Sequence, residues 1–423
     1  MLYEKANEWQ LPFWTVAVDF KKAFDTVEHS ALWQALSEQG VEQTYINVLR
    51  AFYTDQTGVV ATDKTSKQFN IQRGTKQGDP ISPILFNAVL EMIMRRLKVK
   101  WQRQQLGFPL GGRNFLHNLR FADDVLLFGE SLDQVKITLN DLAVEAGKVG
   151  LELHMGKTKI LANSFAYSRP SIPAVVSVCV FDVEVLSKEG STKYLGRKLS
   201  FIDYHEEEIN YRIACGWRKF MANKKELCDK TYGLGHRLRL FSARVTPSVL
   251  YGSGCWTMNT DRESTLRTAQ RKMLRMMMAS GRRLVTTDVI AVAGSSAEEE
   301  QVGDELESGQ TVEEEDWVTW ITRVTHFAEN QLRKIGVKDW VAAQREKKWQ
   351  WAGHVARRTD GRWSTMLAAW TPEGEVRRQG RPCTRWADSI DKVFGSEQRG
   401  DWFLFAQDRP TWSSYEATYV SNS

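Results

Sequence analysis

The stretch Asn118-Leu-Arg-Phe-Ala-Asp-Asp-Val-Leu-Leu-Phe128 places two adjacent carboxylates, Asp123 and Asp124, between two apolar runs. Aspartate is depleted from strands and favoured in turns, so the pattern predicts a strand, a tight turn and a second strand. Neighbouring carboxylates repel each other unless a positive charge neutralises them. Oxygen-rich sites of this kind suit Mg²⁺ or Mn²⁺. A solvated hairpin turn and a metal site both explain the tetrad alone, so the rest of the chain has to decide.

Composition excludes several classes of protein. The chain has no apolar run near the roughly 18 residues of a membrane span, and its amino terminus does not resemble a secretory signal. Five scattered cysteines without Cys-x-x-Cys spacing indicate reduced thiols rather than a disulfide framework or a zinc knuckle. We therefore expect an intracellular protein, nuclear or cytoplasmic, that is not secreted and has no membrane partner.

The modest net charge of +5 conceals an uneven distribution of charge. Residues 298–316 contain ten acids and no base, and without them 57 bases face 42 acids, a net charge of +15. A body this basic favours a polyanionic partner. The acidic stretch is low in aromatic residues and has no periodicity, which predicts a disordered linker over 291–316.

Strands and helices are predicted to alternate up to about residue 200. The run Thr15-Val-Ala-Val-Asp19 is typical of a buried strand that presents an acid at its carboxyl end. Helices are predicted from His29 to a glycine stop at Gly40, from Pro80 onward for four turns, and from a Ser131 cap to Lys148. Residues 200 to about 283 are predicted to be mainly helical.

The first segment, up to about residue 200, contains three clusters of polar residues. They are Asp19-Phe-Lys-Lys-Ala-Phe24-Asp25, the loop Arg73-Gly-Thr-Lys-Gln77-Gly78-Asp79-Pro-Ile-Ser-Pro83, and the Asp123-Asp124 turn. In this order and spacing they resemble motifs A, B and C of the palm of reverse transcriptases, specifically those of non-LTR (LINE-type) retrotransposons. Gly150-Leu-Glu-Leu-His154-Met-Gly-Lys157-Thr-Lys159 is similar to motif D, and Lys193-Tyr-Leu-Gly196 to motif E.

The resemblance implies a role for each matching residue. It implies that Asp19, Asp123 and Asp124 hold two Mg²⁺ or Mn²⁺ ions for nucleotidyl transfer, a reaction in which positioning and charge stabilisation dominate. Lys157, or else Lys159, is the implied proton donor to pyrophosphate. Further implied roles are nucleotide binding by Phe24, Gln77 and Gly78, with the Phe24 ring excluding a 2′-hydroxyl, and a primer grip formed by Tyr194, Leu195 and Gly196. Asp25 and Asp79 are expected to be structural.

The resemblance also implies an architecture. We expect an α+β fold: a palm of antiparallel strands flanked by helices over 1–200, a helical thumb-like region over 201–290, the acidic linker over 291–316, and a basic, Trp-rich C-terminal region over 317–423. Bases and tryptophans interleave in this last region, so it could bind nucleic acid or form a small helical core. The candidate nucleic-acid contacts are Lys348, Arg357, Arg358, Arg381 and Arg385.

The implied function is RNA-directed DNA synthesis from deoxynucleoside triphosphates, with an RNA template and a DNA primer or target. Only 18 residues precede Asp19, so we expect a chain truncated before motif A, without fingers, and weak or inactive alone. Two alternatives remain open. One is a non-catalytic nucleic-acid-binding remnant; the other is a different palm polymerase, such as an intron-encoded maturase or an RNA-dependent RNA polymerase.

Overall fold

The apolar run before Asp19 forms the strand Trp14–Val18, whose five residues are all buried, as expected in the interior of a sheet. The computed structural model describes residues 1–76, 78–168, 172–179, 181–289, 309–372, 384–394 and 402–421. They form two compact units, Met1–Glu208 with Val355–Asp388, and Ile209–His354 with Ser389–Ser423. The division differs from the four consecutive regions expected from the sequence, because residues 355–388 pack with the first unit.

The first unit is an α+β structure, as the sequence predicts. Its strands are β1 Trp14–Val18, β2 Thr57–Gly58, β3 Phe69–Asn70, β4 Phe108–Pro109, β5 Phe115–Leu116, β6 Asn118–Phe121, β7 Asp124–Gly129, β8 Lys159–Ala162, β9 Val175–Val178, β10 Phe181–Val185, β11 Ser191–Tyr194 and β12 Arg197–Ser200. Its helices before residue 200 are α1 Leu2–Glu8, α2 Ala23–Thr26, α3 His29–Glu38, α4 Gln43–Tyr53, α5 Ser82–Arg103 and α6 Leu132–Gly147.

The main sheet has the strand order β6-β7-β1-β8-β10-β9. β1 pairs antiparallel with β7 and β8, and β10 pairs parallel with β8, so the sheet is mainly antiparallel. Helices α3, α5 and α6 cover it with buried side chains such as Leu32, Phe86 and Leu139. The predicted caps are confirmed: Ser131 accepts a hydrogen bond from the Gln134 amide, and Gly40 has a φ of +84° beyond the end of α3.

The second unit is mainly helical, which confirms the prediction for residues 200–283. The remaining helices, of which α14 lies in the first unit, are α7 Tyr204–Ala222, α8 Lys224–Cys228, α9 Leu234–Arg244, α10 Thr246–Val249, α11 Thr260–Met278, α12 Trp317–Ile335, α13 Trp340–Ala356, α14 Trp363–Ala369, α15 Asp388–Asp391, α16 Trp402–Phe405, α17 Arg409–Ser414 and α18 Glu416–Ser421. None of the helices in the described residues is both long enough and apolar enough to cross a bilayer.

Part of the expected acidic linker is ordered. Strand β13, Leu284–Val289, pairs antiparallel with β14, Gly309–Glu314, so the expectation of disorder is wrong for 309–314. The reason is that the preceding run Leu284-Val-Thr-Thr-Asp-Val289 is rich in β-branched residues and offers a partner that an isolated acidic segment lacks. Residues 291–308 of the expected linker lie outside the described residues.

Three tryptophans of the C-terminal region form core rather than an exposed stacking surface. Trp349 and Trp412 stack with ring centroids 3.9 Å apart, and each indole N–H donates to the other residue's carbonyl oxygen. Trp340 is completely buried and stacks on Phe241. Burial of rings this large is a major source of stability in a small helical unit. These three tryptophans therefore pack inside the protein, where they cannot stack on unpaired bases.

Candidate active site

The predicted hairpin of the acidic tetrad is confirmed. β6 and β7 pair with Phe121 opposite Asp124, which leaves Ala122 and Asp123 as a two-residue turn. Ala122 has a φ of +52°, a left-handed conformation that costs a residue with a Cβ about 1–2 kcal/mol. A strained turn that carries Asp123 and leads directly into Asp124 points to function rather than to a simple connection.

Pairing of β1 with β7 brings the first and third polar clusters to the same end of the sheet. Val18 lies opposite Val125 in this antiparallel pair. Asp19 follows Val18 and Asp124 precedes Val125, so the two carboxylates extend beyond the same end of neighbouring strands. The sequence predicts this geometry only through the resemblance, because the 104 residues between Asp19 and Asp124 contain no signal for strand order.

Three negative charges at this end of the sheet act on one another. Burial, followed by the charges of Asp123 and Asp19, raises the pKa of Asp124. Asp19 Oδ2 is buried and, within the described residues, has no hydrogen-bond partner. Its nearest compensating charge is Lys157 Nζ, 3.6 Å away. The cluster therefore contains more negative charge than its neighbours neutralise.

The segment that resembles motif D holds Lys157 beside Asp19. The His154 amide donates to the Asp19 carbonyl oxygen at 2.7 Å, and the Asp19 amide donates to Thr158 Oγ1 at 3.3 Å. Thr158 is completely buried. Its contact with Asp19 was not predicted, although Thr158 lies within the segment that resembles motif D. Lys159 instead pairs with Glu184 at 2.6 Å. Lys157 and Lys159 were both candidates for the proton donor. Of the two, Lys157 is the one that lies beside a candidate catalytic carboxylate, that of Asp19.

The three carboxylates are chemically suited to bind divalent cations, although their side chains are not arranged around a cation position. Within the described residues, no group of three His, Cys, Asp or Glu side chains is arranged to hold a metal ion. However, Asp19 Oδ2 accepts no hydrogen bond from the described residues and the pKa of Asp124 is raised, and a nearby cation would relieve both. The donors are also all carboxylate oxygens, which Mg²⁺ and Mn²⁺ prefer.

The glycine-bearing loop packs directly on the segment after Asp19. The Thr75 amide donates to the Phe24 carbonyl oxygen at 2.6 Å, and the Gly74 amide donates to that of Val27 at 2.7 Å. Gly74 is required because a Cβ there would lie 2.7 Å from the Asp25 carbonyl oxygen. The loop is thus fixed to the end of the sheet that carries the acids.

The nucleotide-binding candidates occupy different environments. The Phe24 ring is half-buried and packs on Phe86, with ring centroids 4.7 Å apart. Gly78 has a φ of +86°, and no described atom lies within 4 Å of the position of a Cβ. Gln77 lies outside the described residues. Asp79 Oδ1 accepts the Ile81 amide at 3.1 Å, which agrees with the structural role expected for it.

The primer-grip candidates form the turn of a second hairpin. Tyr194 pairs with Arg197 across β11 and β12, and Leu195 and Gly196 between them both have positive φ, as in a type I′ turn. Burial, followed by the negative charge of Asp124, raises the pKa of Tyr194. The charge of Asp124 therefore acts on the phenol of Tyr194.

Gly150 fixes the spacing between the segments that resemble motifs A and D. It has a φ of +80°, and a Cβ would lie 2.6 Å from the Thr26 carbonyl oxygen. We expect Gly150→Ala to lower the free energy of unfolding by about 2–4 kcal/mol through backbone strain and overlap. Chemical denaturation measures this change. Gly147→Ala is the control, since Gly147 lies in α6 with no described atom within 4 Å, and it should leave stability unchanged or raise it.

The candidate nucleic-acid contacts of the C-terminal region are in part wrong. Lys348 is only 1% exposed, and its ammonium donates to Ser389 Oγ at 2.8 Å, so it cannot reach a phosphate. Lys348 lies on the buried face of α13, so its long apolar stem is buried as well. The pattern of charges along the sequence does not reveal this burial. Arg385 pairs with Asp388 and Glu8. Arg357 and Arg358 are half-exposed, and Arg381 lies outside the described residues.

Because Lys348 is buried, its side chain should contribute to the stability of the folded protein. We expect Lys348→Ala to lower the free energy of unfolding by about 2–4 kcal/mol, because it removes a buried stem and a hydrogen bond. Lys347→Ala, which removes the same charge from an exposed neighbour, should change stability by less than about 1 kcal/mol. Thermal unfolding of the two variants tests the difference. Equal destabilisation would show that the side chain of Lys348 is not buried.

Several known proteins are similar to parts of the chain. The family "Reverse transcriptase (RNA-dependent DNA polymerase)" matches residues 4–199. An uncharacterized transposon-derived protein of Caenorhabditis elegans is 29% identical over 74% of the chain and 99% of its own length. A Pol polyprotein from the type-1 retrotransposable element R2 of Popillia japonica is 30% identical over 56% of the chain.

The chain spans only 39% of that R2 polyprotein, which is therefore a much longer protein. Among solved structures, apo telomerase from Candida tropicalis aligns with 65% of the chain at 15% identity and a TM-score of 0.35. The family match includes all five polar motifs and every candidate catalytic carboxylate. Residues 4–199 thus match the reverse transcriptase family, and the chain is similar to Pol polyproteins of the type-1 retrotransposable element R2.

Proposed function

We propose that the first unit catalyses RNA-directed DNA synthesis by two-metal nucleotidyl transfer. The observation that carries this proposal is the antiparallel pairing of Val18 with Val125, which brings Asp19 and the Asp123-Asp124 turn to one end of the sheet. Carboxylates from two strands and a turn can hold two cations about 3.5–4 Å apart, the separation that such reactions use. The pKa of Asp124, which is raised by burial and by the charges of Asp123 and Asp19, supports this use of the site.

Asp19, Asp123 and Asp124 would hold the cations. When bound, the cations supply activation of the primer 3′-hydroxyl and neutralisation of the triphosphate. Lys157 has an exposed ammonium next to Asp19, and in the proposal it donates a proton to the departing pyrophosphate. The motif B loop, fixed by Gly74 and Thr75, orients the incoming nucleotide through Gln77 and Gly78.

The proposed substrates follow from this chemistry. An RNA template and a DNA primer or target would lie along the acids, with the primer strand on the Tyr194-Leu195-Gly196 turn. Phe24 would contact the sugar of the incoming deoxynucleoside triphosphate. The nucleus or the cytoplasm is the proposed location, since template and triphosphates are available in both.

Primer extension tests the proposal. The full chain is incubated with a DNA primer annealed to an RNA template, deoxynucleoside triphosphates and Mg²⁺ or Mn²⁺. We expect extension in either ion and none in EDTA, with Lys157→Ala slower than the wild type by about 10- to 100-fold and Lys157→Arg less affected. Binding of the primer–template without extension in either ion would instead favour the non-catalytic remnant. Preferred incorporation of ribonucleotides would favour an RNA polymerase.

A further inference from the structure

A polar groove lies between α11 and α12 of the second unit. It has a volume of about 350 Å³ and is lined by side chains from both helices. Residues 268, 271 and 275 of α11 lie on one helix face, and residues 322, 325 and 329 of α12 lie on another. The two faces line the groove with functional groups from opposite sides, as in a binding site for a small polar group.

The groove is lined mainly by hydrogen-bond donors. Among the described lining residues, Glu329 is the single acid, and the donors are the guanidinium groups of two arginines, three threonine hydroxyls and one imidazole, belonging to Arg271, Arg275, Thr268, Thr322, Thr325 and His326. Arginine donates in a rigid fork that matches the oxygens of a phosphate. The chemistry of the groove therefore suits an oxyanion.

The two arginines differ in how their charge is balanced. Arg271 forms an ion pair with Glu329, with Nη2 and Oε1 2.6 Å apart. Arg275 instead donates from Nη1 to the neutral Thr325 Oγ1 at 3.0 Å. Burial and the nearby charge of Arg271 lower the pKa of Arg275, which shows that its positive charge is poorly compensated where it stands. A phosphate in the groove would supply the missing negative charge.

We propose that this groove binds a backbone phosphate of single-stranded nucleic acid. Arg275 and Thr325 contact the phosphate oxygens directly, and Arg271 turns toward it from Glu329. The choice of nucleic acid over a free phosphate rests on the proposed function, because a polymerase must hold its template or primer beyond the reacting end. The groove would add affinity without reading the sequence, since it offers no surface that distinguishes bases.

Equilibrium binding of a fluorescent single-stranded oligonucleotide to the full chain tests the proposal. The measurement is made in EDTA without nucleotides, so that failure of polymerisation does not affect it. We expect the double variant Arg271→Gln with Arg275→Gln to bind about 5- to 30-fold more weakly at 150 mM salt. The slope of log affinity against log salt should fall by about 0.7 per lost phosphate contact. Arg239→Gln, an exposed charge on α9, is the matched control and should have little effect.

Glu329→Gln separates binding from a structural role. It removes the carboxylate that competes for Arg271, so it should tighten oligonucleotide binding about 2- to 5-fold. A groove that only holds α11 to α12 would give the opposite pattern: lower thermal stability and unchanged affinity. Circular dichroism of each variant shows whether it is folded, and Arg275→Lys, which keeps the charge, should restore part of the affinity.

Inorganic phosphate distinguishes the two sources of the anion. Titration of the chain with phosphate alone should give weak binding that the double variant loses, and oligonucleotide should displace it. Phosphate binding that no oligonucleotide displaces would overturn the assignment to nucleic acid. Equal affinities of the double variant and Arg239→Gln for oligonucleotide would overturn it as well. Because binding is measured in EDTA without nucleotides, loss of catalysis and loss of this site remain distinguishable.

Discussion

Replacing Asp124 with asparagine is expected to lower the rate of primer extension by at least about 10³-fold, because loss of a metal-binding carboxylate removes several kcal/mol of transition-state stabilisation. Asparagine keeps the shape of the side chain but not the charge. Single-turnover extension on an RNA template with Mg²⁺ measures the loss. Asp63→Asn, in an exposed loop, is the matched control and should extend the primer at the wild-type rate.

The same substitution is expected to leave the protein at least as stable in EDTA. Asp124 lies beside Asp123 and near Asp19, and its pKa is raised by burial and by both charges. Removing its charge therefore relieves repulsion in the metal-free protein. Mg²⁺ should raise the melting temperature of the wild type, because a ligand that binds the folded protein stabilises it. The rise should be smaller for Asp124→Asn, which has lost one carboxylate that would hold the ion. A variant that is inactive and also much less stable in EDTA would indicate a structural role instead.

The pH dependence of this difference has a defined sign. A carboxyl group whose pKa is raised in the folded protein binds more protons there than in the unfolded chain, so its contribution to stability falls as pH increases. In EDTA, wild-type stability should therefore fall relative to Asp124→Asn as the pH rises above the ordinary pKa of an aspartate, about 3.9. Parallel melting curves across this range would contradict the raised pKa.

The hairpin, the strand before Asp19 and the cap at Ser131 could all be predicted, because each is encoded by neighbouring residues. Turn chemistry, apolar runs and capping side chains act within a few positions of the chain. The left-handed Ala122 could not be predicted, since glycine or asparagine normally marks such a turn and alanine gives no signal. Its conformation is imposed by the pairing of both flanking strands.

Longer-range features escaped prediction for a different reason. The burial of Lys348 depends on which residues of the distant segment near Ser389 fold back against α13. The site of Thr158 depends on the close approach of two loops, which Gly150 permits. Charge and hydropathy patterns describe one element at a time and do not report its partner. The resemblance to a family supplied the order of the motifs, and the structure supplied the contacts that join them.

Replacing Phe24 with alanine is expected to reduce discrimination against ribonucleotides by about 10- to 200-fold, measured as the ratio of kcat/KM for deoxynucleoside and ribonucleoside triphosphates. The physical reason is steric. The half-buried ring is held against Phe86 at 4.7 Å, and its carbonyl oxygen is fixed by the Thr75 amide, so the ring cannot move aside for a 2′-hydroxyl. Most of the change should appear as faster use of ribonucleotides rather than slower use of deoxynucleotides.

Two variants separate this steric role from the packing of the ring. Phe24→Tyr keeps the ring and should keep the discrimination, whereas Phe69→Ala removes an equally large ring from a half-exposed site on β3 and should leave the ratio unchanged. Phe24→Ala also loses contact with Phe86, so its stability will fall, but lost packing lowers the rate for both sugars together. A ratio that stays constant while both rates fall would mean that Phe24 is a core residue and that another group selects the sugar.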